Sequence, residues 1–202
     1  MSKLTPMFKK DFFIPQYTVY ENVMHVDEID AINFYAKTSV PPEDARVGVD
    51  EAEGSVSPDI RKSTVRWLLP DQNMKGMFKR LFNITEYCNR QYYKFDLKGF
   101  ESVQHTTYTD QEEKYDYHVD YAAGVTSDIY MRKLSFVVML NDPTEYEGGE
   151  LCFTAGRNHE EVLKLSKGAI ICFPSWMMHK VNPVTGGERN SLVWWCLGPK
   201  FV

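Results

Sequence analysis

Residues 169–197, AIICFPSWMMHKVNPVTGGERNSLVWWCL, contain three apolar runs of strand length separated by turns that carry Pro, Asn and Gly. Between about residue 95 and this stretch, further short apolar runs alternate with turns in the same way. Short strands at this spacing are typical of a β-sandwich or barrel. The strands predicted here are Phe100–Thr109, Tyr115–Tyr121, Lys133–Leu140, Glu150–Phe153, Ala169–Phe173, Lys180–Pro183 and Asn190–Leu197.

The first 94 residues predict mostly helical support for that core. A helix is predicted over Val26–Lys37, with Asp27 as its N-cap, and a second over about 73–92, where apolar residues form one stripe. Short strands are predicted at Tyr17–Val23 and Arg61–Leu68.

Residues 40–59 are rich in Pro, Gly and acidic residues, and predict a long mobile surface loop. No polar linker divides the chain, so residues 1–202 are predicted to form one domain. The expected fold class is α+β, with a double-stranded β-helix (jelly-roll) core over 95–202 and the N-terminal helices packed on its sheet.

Composition narrows the class of protein. A net charge of −5 over 202 residues argues against a nucleic acid partner, which needs clustered Lys and Arg. The longest apolar runs, such as Phe136–Leu140, are too short to span a membrane, and no signal peptide is evident, so a cytoplasmic protein is expected. The composition carries no signal for an oligomeric state. All four cysteines are predicted to be structural: Cys88, Cys152, Cys172 and Cys196.

A His-Val-Asp tripeptide occurs twice among only five histidines. The copy at His25 is best explained as a helix entrance. The copy at His118 and Asp120 lies in a β context, where residues i and i+2 point to one face and can meet one cation. His179, near the C-terminus, is the best candidate for a third ligand. Two His and one carboxylate form the facial triad of non-haem Fe(II) oxygenases.

Arg189 lies ten residues after His179, beyond a turn of Asn, Pro and Gly. This spacing predicts that the two residues occupy adjacent antiparallel strands and face one cavity. A guanidinium entering the core needs an anionic partner, and its planar fork suits the distal end of a dicarboxylate.

These residues, with Gly148-Gly149-Glu150-Leu151 between them, resemble the Fe(II)/2-oxoglutarate-dependent dioxygenases. The resemblance is closest to the prolyl 4-hydroxylase-like branch and its small bacterial and phage members, which implies a microbial or viral source. It implies Fe(II) held by His118, Asp120 and His179, 2-oxoglutarate as co-substrate with its 5-carboxylate on Arg189, O2, and ascorbate as reductant.

Further residues are carried over from the same resemblance. It implies that Tyr108 contacts 2-oxoglutarate or lines its pocket, and that Ser191 and Trp195 line the same pocket. Arg61, in an Arg-x-Ser motif, and Tyr115 are implied on the substrate side. Met139 stands where the hypoxia-type enzymes place a second co-substrate tyrosine, a departure that leaves the distal carboxylate to Arg189 and Tyr108.

The expected function is an Fe(II)- and 2-oxoglutarate-dependent hydroxylase, most similar to the peptidyl-prolyl 4-hydroxylases. The same chemistry on a free amino acid or another small metabolite is the second interpretation. A non-catalytic, cupin-like barrel that binds a ligand is the third, and the intact set of four residues disfavours it. The partner is therefore a peptide, protein or small-molecule substrate.

Overall fold

The computed structural model describes residues 14–47, 55–121, 129–154 and 159–200. Its helices are α1 (Val26–Ser39) and α2 (Lys75–Cys88), the latter continued by a π-helix at Asn89–Tyr93. None of the helices in these ranges is long and apolar enough to cross a membrane. The strands are β1 (Thr18–Tyr20), β2 (Glu43–Asp44), β3 (Arg61–Lys62), β4 (Thr64–Leu68), β5 (Gly99–Phe100), β6 (Val103–Thr109), β7 (Lys114–His118), β8 (Tyr130–Met139), β9 (Tyr146–Gly148), β10 (Leu151–Thr154), β11 (Glu160–Leu163), β12 (Ile170–Pro174), β13 (His179–Val181) and β14 (Val184–Pro199).

Two antiparallel sheets face each other. The major sheet has the order β1-β12-β8-β14-β6-β4-β2, with β5 and β9 also paired to β14. The minor sheet has the order β11-β10-β13-β7-β3. Apolar side chains from both sheets form one core cluster, to which Val137 contributes from the major sheet and Phe153 from the minor sheet. The predicted double-stranded β-helix is confirmed.

The central strand β8 separates two environments by alternation, as a strand buried on both faces does. Leu134, Phe136 and Val138 point outward into a core shared with both helices. Val137 and Met139 point inward, between the sheets. The helices therefore cover the outer face of the major sheet, and the inner face remains available for a site.

Helix α1 begins differently from the prediction. Its N-cap is His25 rather than Asp27, because the His25 side chain accepts a hydrogen bond from the Asp27 amide while Glu28 reaches back to the His25 amide. This is a capping box with an imidazole in place of the usual hydroxyl or carboxylate. The helix-entrance interpretation of His25 is confirmed, and the residue that caps the helix was wrong.

The N-terminal half has one strand that was not predicted, β2, and its predicted strand Arg61–Leu68 is divided into β3 and β4. It contributes β1, β2 and β4 to the major sheet and β3 to the minor sheet. Within the predicted loop 40–59, β2 pairs with β4, and residues 48–54 lie outside the described residues. Strands β9 and β11 were not predicted. All four cysteines are buried and unpaired, as expected.

A buried histidine on the outer face of the major sheet predicts acid sensitivity. Burial, with the charges of Arg66 and Lys37, lowers the pKa of His105 to about 4. Between pH 6.5 and pH 4, His105 is therefore protonated in the unfolded chain but mostly neutral in the folded chain. We expect stability to fall as the pH decreases through this window, by about 1.4 kcal/mol per unit for this one group.

Urea unfolding at pH 7 and pH 4.5 tests this expectation. His105→Gln should lose less stability on acidification than the wild type, by about 2–3 kcal/mol. His159→Gln, at an exposed position, is the control and should lose as much stability on acidification as the wild type does. An unchanged pH dependence in the His105 variant would show that another group governs it.

Candidate active site

The two histidines of the predicted triad lie opposite each other on neighbouring strands. His118 ends β7, His179 begins β13, and the two are direct partners in the ladder. Asp120 follows two residues after the end of β7. The ligand atoms of the three residues lie within 4.8 Å of one another, and Nε2 of His118 is 3.5 Å from Asp120 Oδ1. In the described parts of the chain, this is the one group with metal-binding geometry.

Both imidazoles are oriented by their own backbone. Nδ1 of His118 lies 2.8 Å from the Asp116 carbonyl oxygen, and Nδ1 of His179 lies 2.9 Å from the Met177 carbonyl oxygen. A carbonyl only accepts, so each Nδ1 carries a proton, and Nε2, which faces Asp120, is the ring nitrogen left to bind a metal. A carbonyl partner of this kind fixes the tautomer that a metal ligand needs.

Asp120 reaches the centre for a reason other than strand alternation. It lies beyond the end of β7, and its amide and that of Tyr121 donate to the Ser175 carbonyl oxygen at 2.8 and 3.0 Å. A turn anchored on the chain segment after β12 therefore aims the carboxylate. The predicted same-face geometry of a continuous strand was wrong.

The ionisation of these groups favours metal binding. Burial lowers the pKa of His179 to about 4, with His118 acting in the same direction and Asp120 against it. Burial alone would raise the pKa of Asp120, but His179, His118 and Arg132 hold it below its usual range. At neutral pH the site thus offers a neutral imidazole and a carboxylate, the forms in which these side chains bind metals.

Arg189 faces this centre from the other sheet. It lies on β14, where it pairs with Tyr108 of β6, whereas His179 belongs to the minor sheet. The prediction that His179 and Arg189 occupy adjacent strands was wrong. Both nevertheless border one cavity between the sheets.

The Arg189 guanidinium is buried and pairs with no carboxylate among the described residues. Its Nη1 donates to Ser191 Oγ at 3.3 Å and its Nη2 to Met139 Sδ at 3.5 Å. The Tyr108 ring lies 5.4 Å from its central carbon, and its buried Nε has no hydrogen-bond partner. Weak, neutral partners leave the positive charge available for an anion.

Gly149 provides the space for the Arg189 side chain. This glycine has φ +65°, and a Cβ placed on it would lie 2.8 Å from Arg189 Cδ and 2.9 Å from Val184 Cγ2. The Tyr146 ring closes the same space at 3.3 Å. The Gly-Gly pair noted in the sequence thus has a packing role beside the cation.

Arg61 and Tyr115 form a stack that ends on a metal-ligand candidate. The guanidinium carbon of Arg61 lies 4.5 Å from the centre of the Tyr115 ring, which stacks on His118 at 3.5 Å and 12°. Arg61 also donates to Gln104 Oε1 at 2.8 Å and to Ser63 Oγ at 3.3 Å. The Arg-x-Ser motif therefore lies at the mouth of the site.

All nine predicted site residues border this one cavity. They are Arg61, Tyr108, Tyr115, His118, Asp120, His179, Arg189, Ser191 and Trp195. The cavity walls also include three polar residues that were not predicted: Gln104, Thr106 and Arg132. Gln104 and Thr106 follow the apolar Val103 on β6 and line the cavity. Their polar character at inward-facing positions of this strand was the only feature of the sequence that could have indicated them.

Trp195 lies under the guanidinium of a partly buried ion pair. The guanidinium carbon of Arg132 lies 3.9 Å from the centre of the Trp195 ring, and Arg132 binds Glu101 Oε2 through Nε at 3.0 Å and Nη2 at 2.5 Å. This arrangement fixes the indole plane in the cavity wall.

Sequence comparison identifies the same region. Residues 103–197 match the model of the 2OG-Fe(II) oxygenase superfamily. A PKHD-type hydroxylase of Shewanella sp. (strain MR-7) is 38% identical over 84 residues, which cover 41% of this chain and 37% of that protein. The chain thus matches less than half of the length of this relative.

Structural comparison extends the likeness to most of the chain. A prolyl-4-hydroxylase of Pseudomonas putida superposes with a TM-score of 0.68 at 21% identity, covering 90% of this chain and 92% of that one. A prolyl hydroxylase of Trichoplax adhaerens, solved with a peptide fragment of the hypoxia inducible factor oxygen degradation domain, gives 0.71 at 17% identity, with 90% and 83% covered. Residues 103–197 are therefore similar to the 2OG-Fe(II) oxygenase superfamily, and the chain has the fold of these two prolyl hydroxylases.

Proposed function

We propose that this protein is an Fe(II)- and 2-oxoglutarate-dependent hydroxylase that acts on a prolyl residue of a peptide. The observation that carries the proposal is the position of Arg189, a buried cation without a carboxylate partner in the described residues, in the same cavity as His118, Asp120 and His179. An arginine with a purely structural role would not need to face a candidate metal site across the cavity between the two sheets.

The donor set fits iron. Two neutral imidazoles and one carboxylate suit Fe(II), and three protein ligands leave coordination positions open. Bound there, iron would supply the chemistry by which O2 oxidises both molecules: one oxygen atom enters succinate as 2-oxoglutarate loses CO2, and the other is inserted into a substrate C–H bond. His118, Asp120 and His179 hold the ion, and their backbone contacts keep them in place before it arrives.

The cation across the cavity fits 2-oxoglutarate. Arg189 binds the distal carboxylate, with the Ser191 hydroxyl and the Tyr108 phenol beside it. The apolar side chains of Val137, Leu151 and Phe173 line the cavity between the two ends and exclude water from it. This places the co-substrate between the sheets, with its charged end buried.

The mouth of the site fits an extended substrate. An outer recess of about 350 Å³ shares Arg61 and Gln104 with the inner cavity and continues past Trp67 to Glu43 and Asp44. Arg61 and Tyr115 position the substrate at the junction, and the recess has room for the residues that flank a target side chain. The relatives with this fold that act on proline favour a prolyl target.

Succinate formation tests this proposal. The wild type should convert 2-oxoglutarate to succinate with Fe(II) and ascorbate, and a pool of proline-containing peptides should stimulate it. The same peptides with proline replaced by alanine are the matched control. We expect stimulation by the proline set alone, with one oxygen atom gained by the peptide in mass spectrometry.

The other outcomes separate the remaining interpretations. Stimulation by free L-proline or another small metabolite but by no peptide would assign the substrate to that class. Metal and 2-oxoglutarate binding without succinate under every condition would favour a binding barrel and overturn the proposed activity.

A further inference from the structure

The second oxygen of the Asp120 carboxylate is held by a buried hydroxyl. Ser135 Oγ donates to Asp120 Oδ2 at 2.6 Å, and Ser175 Oγ lies 3.0 Å from Ser135 Oγ. Ser135 and Ser175 are both fully buried, and Asp120 is nearly so. The two hydroxyls thus form a short chain of hydrogen bonds that ends on the carboxylate.

The backbone makes this chain rigid. Ser135 lies on β8 in the centre of the major sheet, between Phe173 of β12 and Trp195 of β14. The Ser175 amide donates to the Lys133 carbonyl oxygen at 3.0 Å. The Ser175 carbonyl oxygen also accepts a hydrogen bond from the Asp120 amide. Asp120 is therefore linked to Ser175 directly through its main chain, and through Ser135 by its side chain.

Ser135 has no other evident use. It stands alone as a polar residue in the apolar run Leu134–Leu140, where each neighbour packs in one of the two cores. A buried hydroxyl in such a strand costs stability unless it is hydrogen-bonded. Its two partners are Asp120 and Ser175, and neither belongs to its own strand.

We propose that Ser135 is a positioning residue that keeps one oxygen of Asp120 engaged and so limits this ligand to a single oxygen at the metal, with Ser175 fixing the Ser135 hydroxyl. The inference rests on the proposed function, because it presumes that Asp120 is a metal ligand. A carboxylate that bound through both oxygens would occupy a position that the co-substrate and O2 need. A neutral hydroxyl achieves this without adding charge to the site.

Metal binding to the apoprotein tests the proposal directly. Mn(II) titration calorimetry on Ser135→Ala should give a dissociation constant about 10- to 100-fold weaker than wild type, the usual cost of losing such a partner. Ser175→Ala should show a smaller loss. Ser166→Ala, at an exposed turn, is the matched control and should bind as wild type does.

A spectroscopic readout separates positioning from mere stability. The Co(II) absorption spectrum of Ser135→Ala should differ from that of wild type, because the coordination of Asp120 changes. A Ser135→Ala protein that keeps the wild-type Mn(II) affinity and Co(II) spectrum would overturn the inference and leave the proposed function intact. If that variant fails to fold, wild-type affinity and spectrum in Ser175→Ala overturn it instead. A wild type that binds neither metal would overturn both.

Discussion

The His179→Ala variant is expected to lose metal binding and all succinate formation. His179 is buried, its Nε2 lies 3.7 Å from Asp120 Oδ2, and the described residues offer no histidine besides His118 and His179 in the metal-binding group. Losing an outer hydrogen-bond partner already costs about 10- to 100-fold in metal affinity, so losing a ligand should cost more than that. Mn(II) calorimetry and a succinate assay measure the two effects.

His159→Ala is the matched control, because its side chain is exposed and outside the metal-binding group. It should retain metal affinity and turnover. The unfolding midpoints of both metal-free variants should be measured, since His179 packs against Phe153 and Phe173 and its loss leaves a cavity. A folded His179→Ala protein that binds Mn(II) as wild type does would remove this residue from the centre.

The Gly149→Ala variant is expected to raise the KM for 2-oxoglutarate by at least about tenfold while leaving metal affinity unchanged. The added methyl would lie 2.8 Å from Arg189 Cδ, closer than carbon atoms approach, so the guanidinium must shift. A displacement of about 1 Å in a binding group can cost on the order of 100-fold in activity. The left-handed backbone adds about 1–2 kcal/mol of strain for any residue with a Cβ.

Gly76→Ala provides the control for this substitution. A Cβ at Gly76 on helix α2 meets no atom within 4 Å, so the exchange should leave the KM unchanged and raise stability by up to about 1 kcal/mol. Steady-state kinetics over a range of 2-oxoglutarate concentrations, with thermal unfolding of both variants, make the comparison. An unaltered KM in Gly149→Ala would mean that Arg189 does not bind the co-substrate.

The order and spacing of a few polar residues, with the family resemblance that they carry, predicted nine site residues that all line one cavity. The connections between them were less accessible. The Asn-Pro turn after His179 indicates a hairpin, but β14 first pairs with β9, from Val184, and only later, from Glu188, with β6. A strand of 16 residues that pairs with four other strands looks like one ordinary strand in the sequence.

Other features depended on partners far along the chain. The role of Ser135 depends on hydrogen bonds to Asp120 and Ser175, which lie 15 and 40 residues away along the chain. An isolated serine in an apolar run does not indicate these partners. The cap of α1 was misassigned because histidine is an unusual N-cap and aspartate a common one. Local patterns therefore indicated which side chains line the cavity, but not which distant strands and side chains pair with one another.

The direct pairing of His118 with His179 has a consequence for strand alignment in the minor sheet. A slip of one residue between β7 and β13 would turn one imidazole to the opposite face of the sheet. Only a correctly aligned sheet can then present both nitrogens to one ion. The number of metal ions bound per chain in a refolded or heavily mutated sample would therefore report the fraction of molecules with native alignment, independently of secondary-structure content.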